Sequence, residues 1–158
     1  ADGAPAPVPV AAVPPADVAV EPMATPMRIL FVEDSEDNRL LLLAHLSKTP
    51  HQVTVAENGA EAVEAYQNAR EPFDLVLMDM QMPVMDGYEA TRRIRDLERE
   101  HGGRVRIVAL TAYALKEEIN KSLEAGCDDH LTKPIKKGVL FEALDRYAAE
   151  VARDGGQS

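Results

Sequence analysis

The sequence predicts an α/β fold with a doubly wound parallel sheet of five strands and five helices, on three observations. Short apolar runs of strand length alternate with longer segments of helical pattern. The run at residues 74–79 is apolar through its centre, as in a strand that helices cover on both faces. Right-handed βα crossovers leave few topologies, and among them we expect the strand order 2-1-3-4-5.

The five strand patterns predict different depths of burial. The predicted strands cover residues 27–32, 52–56, 74–79, 106–110 and 129–132. Residues 52–56 alternate in polarity, which is typical of a half-exposed edge strand. Residues 74–79 and 106–110 are continuous apolar runs, which favours central positions in the sheet.

Capping and breaking residues bound the five helices. They are predicted from Ser35 to Thr49, over 60–70, from Asp86-Gly87 to Gly102-Gly103, over 116–125, and over about 136–153. The first helix is predicted to pack through Leu40, Leu41, Leu43 and Leu46. The exposed side of the third is predicted to carry Arg92, Arg93, Arg95, Glu98, Arg99 and Glu100.

Composition divides the chain into three parts. Residues 1–26 hold seven of the eleven prolines, eight alanines and no Lys or Arg, so we predict a flexible linker there. Residues 27–153 are the predicted domain, and 154–158 a frayed tail. From Met27 onward 24 acidic and 17 basic residues give a net charge of −7 (17 − 24), which disfavours nucleic acid as a partner. We expect no direct membrane contact and a cytoplasmic location, consistent with the single cysteine.

Polar side chains follow four of the predicted strands. They are Glu33 and Asp34, Asp79, Thr111, and Lys133. In a parallel sheet these strand ends meet at one rim, and two carboxylates 4 Å apart at an effective dielectric near 20 repel by about 4 kcal/mol. Oxygen ligands with this charge suit Mg²⁺, and a carboxylate beside Mg²⁺ and an ammonium group is a phosphoryl acceptor. The sequence therefore predicts a magnesium-assisted phosphoryl acceptor at Asp79.

Four motifs lie at the ends of the predicted strands. They are Val32-Glu33-Asp34-Ser35, Leu77-Met78-Asp79-Met80-Gln81-Met82-Pro83-Val84-Met85-Asp86-Gly87, Leu110-Thr111-Ala112 and Thr132-Lys133-Pro134. Together, over residues 27–150, they resemble the receiver domain of two-component signalling. The residues of these motifs are most similar to those of receivers in hybrid sensor histidine kinases. The resemblance implies a flavodoxin-like fold in which Asp79 accepts a phosphoryl group from a phosphohistidine.

The resemblance also implies a role for each remaining site residue. Asp34, Asp79 and the backbone carbonyl of Gln81 would bind Mg²⁺, with Glu33 assisting and Lys133 pairing with the phosphoryl group. Thr111 would reorient toward the phosphoryl group and switch the face formed by strand 4, helix 4 and strand 5.

One residue departs from the family pattern. Receivers commonly carry an aromatic switch residue where this sequence has His130, so His130 is our candidate for the switch ring. The Lys133–Pro134 peptide bond is expected to be cis by the same resemblance.

The implied partners are a histidine kinase dimerisation and phosphoacceptor domain, in the same chain or another, or a histidine phosphotransfer protein. We expect the chain to be part of a hybrid kinase, with a stand-alone response regulator as the alternative. Haloacid-dehalogenase-type phosphatases need a second carboxylate two residues after the nucleophile, where this chain has Gln81. A flavodoxin-like cofactor site would not begin with Glu33-Asp34, and an unphosphorylated interaction module would not need all five signature side chains.

Overall fold

The computed structural model describes residues 26–82, 84–113 and 115–157, and it confirms the predicted fold class. The strands are β1 (Arg28–Val32), β2 (Gln52–Ala56), β3 (Leu75–Asp79), β4 (Arg106–Thr111) and β5 (Asp129–Thr132). The helices are α1 (Glu36–Leu46), α2 (Gly59–Asn68), α3 (Gly87–His101), α4 (Lys116–Ala125) and α5 (Lys137–Gln157). All strand pairs are parallel, and the sheet order is β2-β1-β3-β4-β5.

Strand β3 lies at the centre of the sheet, and all five of its residues are buried. Because successive side chains of a strand point to opposite faces, β3 contributes to two separate cores. Val76 and Met78 pack in the core under α2, α3 and α4. Leu75 and Leu77 pack in the core under α1 and α5. The position of Asp79, at the end of this strand, is therefore set by packing on both sides.

The strands at the two edges are less buried than the centre. Most residues of β2 are exposed or half-buried, as the alternating pattern predicted, and β5 is half-buried. Ser35 caps α1 by accepting a hydrogen bond from the Asn38 amide, which also agrees with the sequence. No helix in the described part of the chain combines the length and apolar character needed to cross a bilayer.

The predicted apolar stripe of α1 is wrong at two positions. Leu42 and Leu46, four residues apart, are the buried leucines, whereas Leu40 is 60% and Leu41 53% exposed. Four consecutive leucines carry no contrast in polarity, so their sequence does not show which of them face the sheet. Two large apolar side chains are consequently left on the surface of α1.

The prediction for α3 is wrong at Arg95 and Glu98, which are buried rather than exposed. The Arg95 guanidinium donates to the Glu98 carboxylate and to the Val105 carbonyl, each at 2.7 Å. It also donates to the carboxylate of Asp128 and to the carbonyl of Gly126, each at 2.9 Å. A buried charge is tolerated where it is paired and hydrogen-bonded, and these partners come from separate parts of the chain.

The structure describes little of the predicted N-terminal linker and most of the predicted C-terminal tail. The predicted linker lies almost wholly outside the described residues, which begin at Pro26. The backbone of α5 continues to Gln157, past the predicted helix end at Arg153. The division into residues 1–26, 27–153 and 154–158 stays a prediction.

Removing the Arg95 charge should destabilise the fold far more than removing an exposed arginine of the same helix. Arg95→Met leaves the Glu98 carboxylate buried without its partner, so we expect a loss of about 3–5 kcal/mol. Arg92→Met breaks only an exposed pair with Glu89 and should change stability by less than about 1 kcal/mol. Urea denaturation of both variants checks this, and equal losses would contradict it.

Candidate functional site

Asp79 is a nearly fully buried carboxylate, 2% exposed, at the carboxyl end of the central strand. Its Oδ1 accepts a hydrogen bond from the Gln81 backbone amide at 3.1 Å. The Lys133 ammonium Nζ lies 3.1 Å from the same oxygen. Strand pairing and these two contacts together hold the carboxylate in place.

Two further carboxylates lie beside Asp79. Glu33, which is also buried, and the exposed Asp34 each present an oxygen, and these oxygens and that of Asp79 lie within 4.8 Å of one another. Lys133 Nζ is 3.0 Å from Glu33 Oε1, so one ammonium group bridges Glu33 and Asp79. The structure thus brings together four of the side chains that the sequence predicted at this rim.

Arg39 holds the acidic loop from the first turns of α1. Its guanidinium Nη1 donates to the backbone carbonyls of Glu33 at 2.9 Å and of Asp34 at 3.0 Å. The sequence alone assigned no role to Arg39. An arginine five and six residues after the two members of an acidic pair is a weak signal, because only the turn between β1 and α1 brings it back to those carbonyls.

Burial and mutual repulsion set the protonation of the site. Burial, and then the negative charge of Glu33, raises the pKa of Asp79 to about 7. Burial would also raise the pKa of Glu33, but hydrogen bonds from Lys133 and the Ser35 amide outweigh it and lower that pKa. Desolvation opposes the charge of Lys133, yet the two carboxylates raise its pKa above the ordinary value. Glu33 and Asp79 therefore titrate as a pair, and the site favours an added positive charge.

Thr111 lies at the rim, but its hydroxyl is engaged within its own loop. The hydroxyl donates to the Tyr113 carbonyl at 2.9 Å and accepts from the Tyr113 amide at 3.1 Å. His130 is half-buried in β5, with Nδ1 4.0 Å from the Asp129 carboxylate. The Lys133–Pro134 bond is cis, as the resemblance implied.

Gly87 is a site residue that the sequence marked only as the start of the third helix and as the end of a motif. A Cβ added there would lie 2.4 Å from the Asp79 carbonyl and 2.7 Å from Met80 Cα. The first turn of α3 can therefore approach the end of β3 only with glycine at this position. The next residue, Tyr88, is buried and donates a 2.8 Å hydrogen bond to Glu118 of α4.

The arrangement of these residues matches a known family. The profile of the response regulator receiver domain matches residues 29–145. The chain belongs to the response regulator receiver domain family. The predicted resemblance is confirmed, and the domain is a receiver of two-component phosphorelay signalling.

Two curated relatives illustrate the contexts in which similar receivers occur. Hybrid signal transduction histidine kinase I of Dictyostelium discoideum is 38% identical over 136 residues, which cover 84% of this chain and 8% of the relative. The two-component response regulator ORR41 of Oryza sativa is 43% identical over 77% of this chain and 94% of its own length. The chain spans only 4–14% of the length of the hybrid and sensor kinases from Dictyostelium, rice and Pseudomonas protegens that it matches.

Two solved structures resemble the chain closely in fold. The receiver domain of sensor histidine kinase PA1611 from Pseudomonas aeruginosa, which has magnesium in its active-site cleft, is 40% identical with a TM-score of 0.69 over 79% of this chain and 99% of that one. The receiver of Saccharomyces cerevisiae Ssk1, in complex with the histidine phosphotransfer protein Ypd1, is 34% identical with a TM-score of 0.74 over 78% and 90%. Receivers of this family generally bind Mg²⁺.

Asp79→Asn should stabilise the metal-free domain at alkaline pH. The folded-state pKa of Asp79, about 7, exceeds its ordinary value of 3.8, so the folded state loses relative stability as the pH rises between those values. Removing the charge should add on the order of 1–4 kcal/mol at pH 8 in EDTA, since Lys133 keeps Glu33 as its partner.

Denaturant unfolding of wild type and variant at pH 8 and pH 5 checks this expectation. The difference in free energy of unfolding between the two proteins should be smaller at pH 5, because Asp79 of the folded wild type is protonated there. A variant that is less stable than wild type at pH 8 would contradict the assignment of Asp79 as a destabilising buried charge.

Proposed function

We propose that Asp79 accepts a phosphoryl group from a phosphohistidine, with Mg²⁺ bound by Asp79, Asp34 and the Gln81 carbonyl and Glu33 assisting. One observation carries the proposal. A buried carboxylate at the end of the central strand lies in contact with Lys133 and beside two more carboxylates. Such a group is costly to the fold and is suited to covalent phosphoryl transfer.

The proposed step is a displacement at phosphorus. An oxygen of Asp79 attacks the phosphorus of the donor, forming an O–P bond as the P–N bond of the phosphohistidine breaks. The imidazole leaves with the electrons of that bond and takes up a proton. Lys133, which already lies 3.1 Å from the Asp79 carboxylate, pairs with the phosphoryl oxygens and reduces their charge.

The donor set fits a hard divalent cation. Three carboxylate oxygens lie within 4.8 Å of one another, and oxygen ligands with room for water are what Mg²⁺ requires. When bound, the ion would neutralise charge on the transferring phosphoryl group. Arg39 helps to position the Glu33 and Asp34 carboxylates, because its guanidinium donates hydrogen bonds to the backbone carbonyls of both residues.

Thr111 and His130 are the proposed switch residues. The Thr111 hydroxyl bonds to Tyr113 in the loop between β4 and α4, so its movement toward a phosphoryl group at Asp79 would displace that loop. His130 lies on β5 beside β4, paired in register with Ala109. A change at Thr111 would in this way reach the face formed by β4, α4 and β5.

The proposed partner is a histidine phosphotransfer protein or the phosphoacceptor domain of a kinase. The exposed Leu40 and Leu41 of α1 support a protein partner, since Leu41 lines a small cavity with Glu33 and Lys133. We propose a hybrid histidine kinase as the parent protein, because long kinases are among the relatives. The proposed location is the cytoplasm, with which the single cysteine is consistent. A stand-alone regulator is the alternative, supported by the similarity to ORR41.

Phosphoramidate with Mg²⁺ should add one acid-labile phosphoryl group to the wild-type domain and none to Asp79→Asn. Asp74→Asn, at the opposite end of the β3 segment, removes a carboxylate that accepts from the Arg28 amide, and this variant should be labelled to the same extent as the wild type. Intact-mass spectrometry before and after acid treatment measures the transfer. Equal labelling of Asp79→Asn and wild type would refute the acceptor assignment.

Binding of beryllofluoride should depend on Mg²⁺ and on Asp34. Loss of one carboxylate from the ligand set should weaken Mg²⁺-dependent binding at least tenfold in Asp34→Asn. Glu36→Gln, which removes an exposed acid two residues further on, should change it less than twofold. Isothermal titration calorimetry checks both variants, and binding that is independent of Mg²⁺ would rule out the proposed ligand set.

A further inference from the structure

Val84 adopts a backbone conformation that disfavours its own side chain. Its φ is +71°, and among the described residues it is the single non-glycine residue with positive φ. A β-branched residue is a marked outlier in this left-handed region, because its Cβ crowds the backbone. Glycine adopts the same conformation without that penalty.

Contacts on both sides impose this conformation on the loop between β3 and α3. The Met85 carbonyl accepts a 3.1 Å hydrogen bond from the Gly59 amide, and the Gly87 amide donates to the Met80 carbonyl at 3.3 Å. At the start of the loop the Gln81 amide is bound to Asp79 Oδ1. These hydrogen bonds fix the path of the loop beside Asp79, and Val84 can follow that path only with a positive φ. Backbone strain of this kind persists only where the surrounding contacts hold the residue in place.

The side chain of Val84 gains nothing inside the domain that offsets the strain. It is 87% exposed, the largest exposure among the big apolar residues of the described chain. Its isopropyl group therefore buries almost no surface in the isolated fold. An apolar group in this position gains free energy only if another surface covers it.

Other exposed apolar side chains lie on the loops and helix that surround the acceptor. Leu41 of α1 lies beside Glu33 and Lys133, and Tyr113 and Leu115 are exposed in the segment between β4 and α4. With Val84, these residues belong to the segments that follow β1, β3 and β4 at the edge of the sheet where Asp79 lies. Apolar contacts that surround a polar centre exclude water from it, as in the hot spots of protein interfaces.

We propose that Val84 is a specificity-determining contact for the phosphohistidine donor protein. Its side chain packs against the surface that surrounds the donor histidine, and this contact selects a protein donor without acting on the chemistry at Asp79. The inference rests on the proposed function, since it requires Asp79 to be the acceptor. It predicts that changes at Val84 alter transfer from a protein donor and leave transfer from a small donor unaltered.

Three variants of the whole chain test the role of Val84. Val84→Ala removes the apolar contact and keeps the residue's left-handed conformation strained, whereas Val84→Gly removes the contact and the strain together. Leu123→Ala, a truncation of an exposed leucine on α4, is the matched control. Each protein is given phosphorylated Ypd1 or phosphoramidate as donor, with Mg²⁺, and single-turnover transfer rates are measured.

We expect both Val84 variants to accept phosphoryl groups from Ypd1 at least fivefold more slowly than wild type, with Leu123→Ala within twofold. All four proteins should react with phosphoramidate at rates within twofold of one another. The proposal is overturned if the Val84 variants are as fast as wild type with Ypd1, or if they are slow with both donors. It is also overturned if the wild type accepts phosphoryl groups from phosphoramidate but not from Ypd1. Failure of the wild type with both donors would instead refute the proposed function of Asp79.

Discussion

The contact between the Lys133 ammonium and the buried carboxylates of Glu33 and Asp79 is the constraint on which the rest of the structure depends. Three charged groups meet at the end of a central strand, and two of them are almost fully removed from water. Burial and repulsion raise the pKa of Asp79 to about 7, so the site is poised to take up positive charge. The same burial and repulsion that disfavour the Asp79 carboxylate in the isolated fold favour a cation beside it.

The fold holds this site by distributing its parts over rigid elements. Asp79 is positioned by a strand that packs on both faces. Glu33 follows the adjacent strand β1, and Lys133 follows β5, which β4 separates from β3. Backbone contacts then set the loops, through Arg39 on the acidic loop and Gly87 against the end of β3. Contributions that lower the stability of the fold are concentrated at this edge of the sheet, which carries the strained backbone of Val84 and the carboxylates that repel one another. Stabilising contacts lie elsewhere, as in the buried Arg95 network that ties α3 to the segments before β4 and β5.

The loop that follows β4 connects the edge of the sheet where Asp79 lies to a helix on the surface of the domain. Thr111 follows β4 directly, and its hydroxyl belongs to the loop that leads into α4. α4 has no side-chain cap at its start and buries only Ser122 and Ala125, so few packing contacts hold the helix against the rest of the domain. Tyr88 joins α3 to α4 through Glu118, and Lys121 lies over the Tyr88 ring at 4.3 Å. The contacts of Glu118 and Lys121 with Tyr88 therefore attach α4 to α3.

Much of this protein was determined by the sequence itself. Period-two and continuous apolar runs reflect local burial, so they were sufficient for the five strands, their order, and the meeting of Glu33, Asp34, Asp79 and Lys133 at one rim. Tertiary structure alone decided which of four adjacent leucines face the sheet, since a uniform run has no polarity contrast. It alone decided that Arg95 and Glu98 are buried, because their partners Val105, Gly126 and Asp128 are distant in sequence. The hydroxyl of Thr111, the approach of Gly87 and the backbone of Val84 are likewise properties of three-dimensional contact, which a linear pattern does not encode.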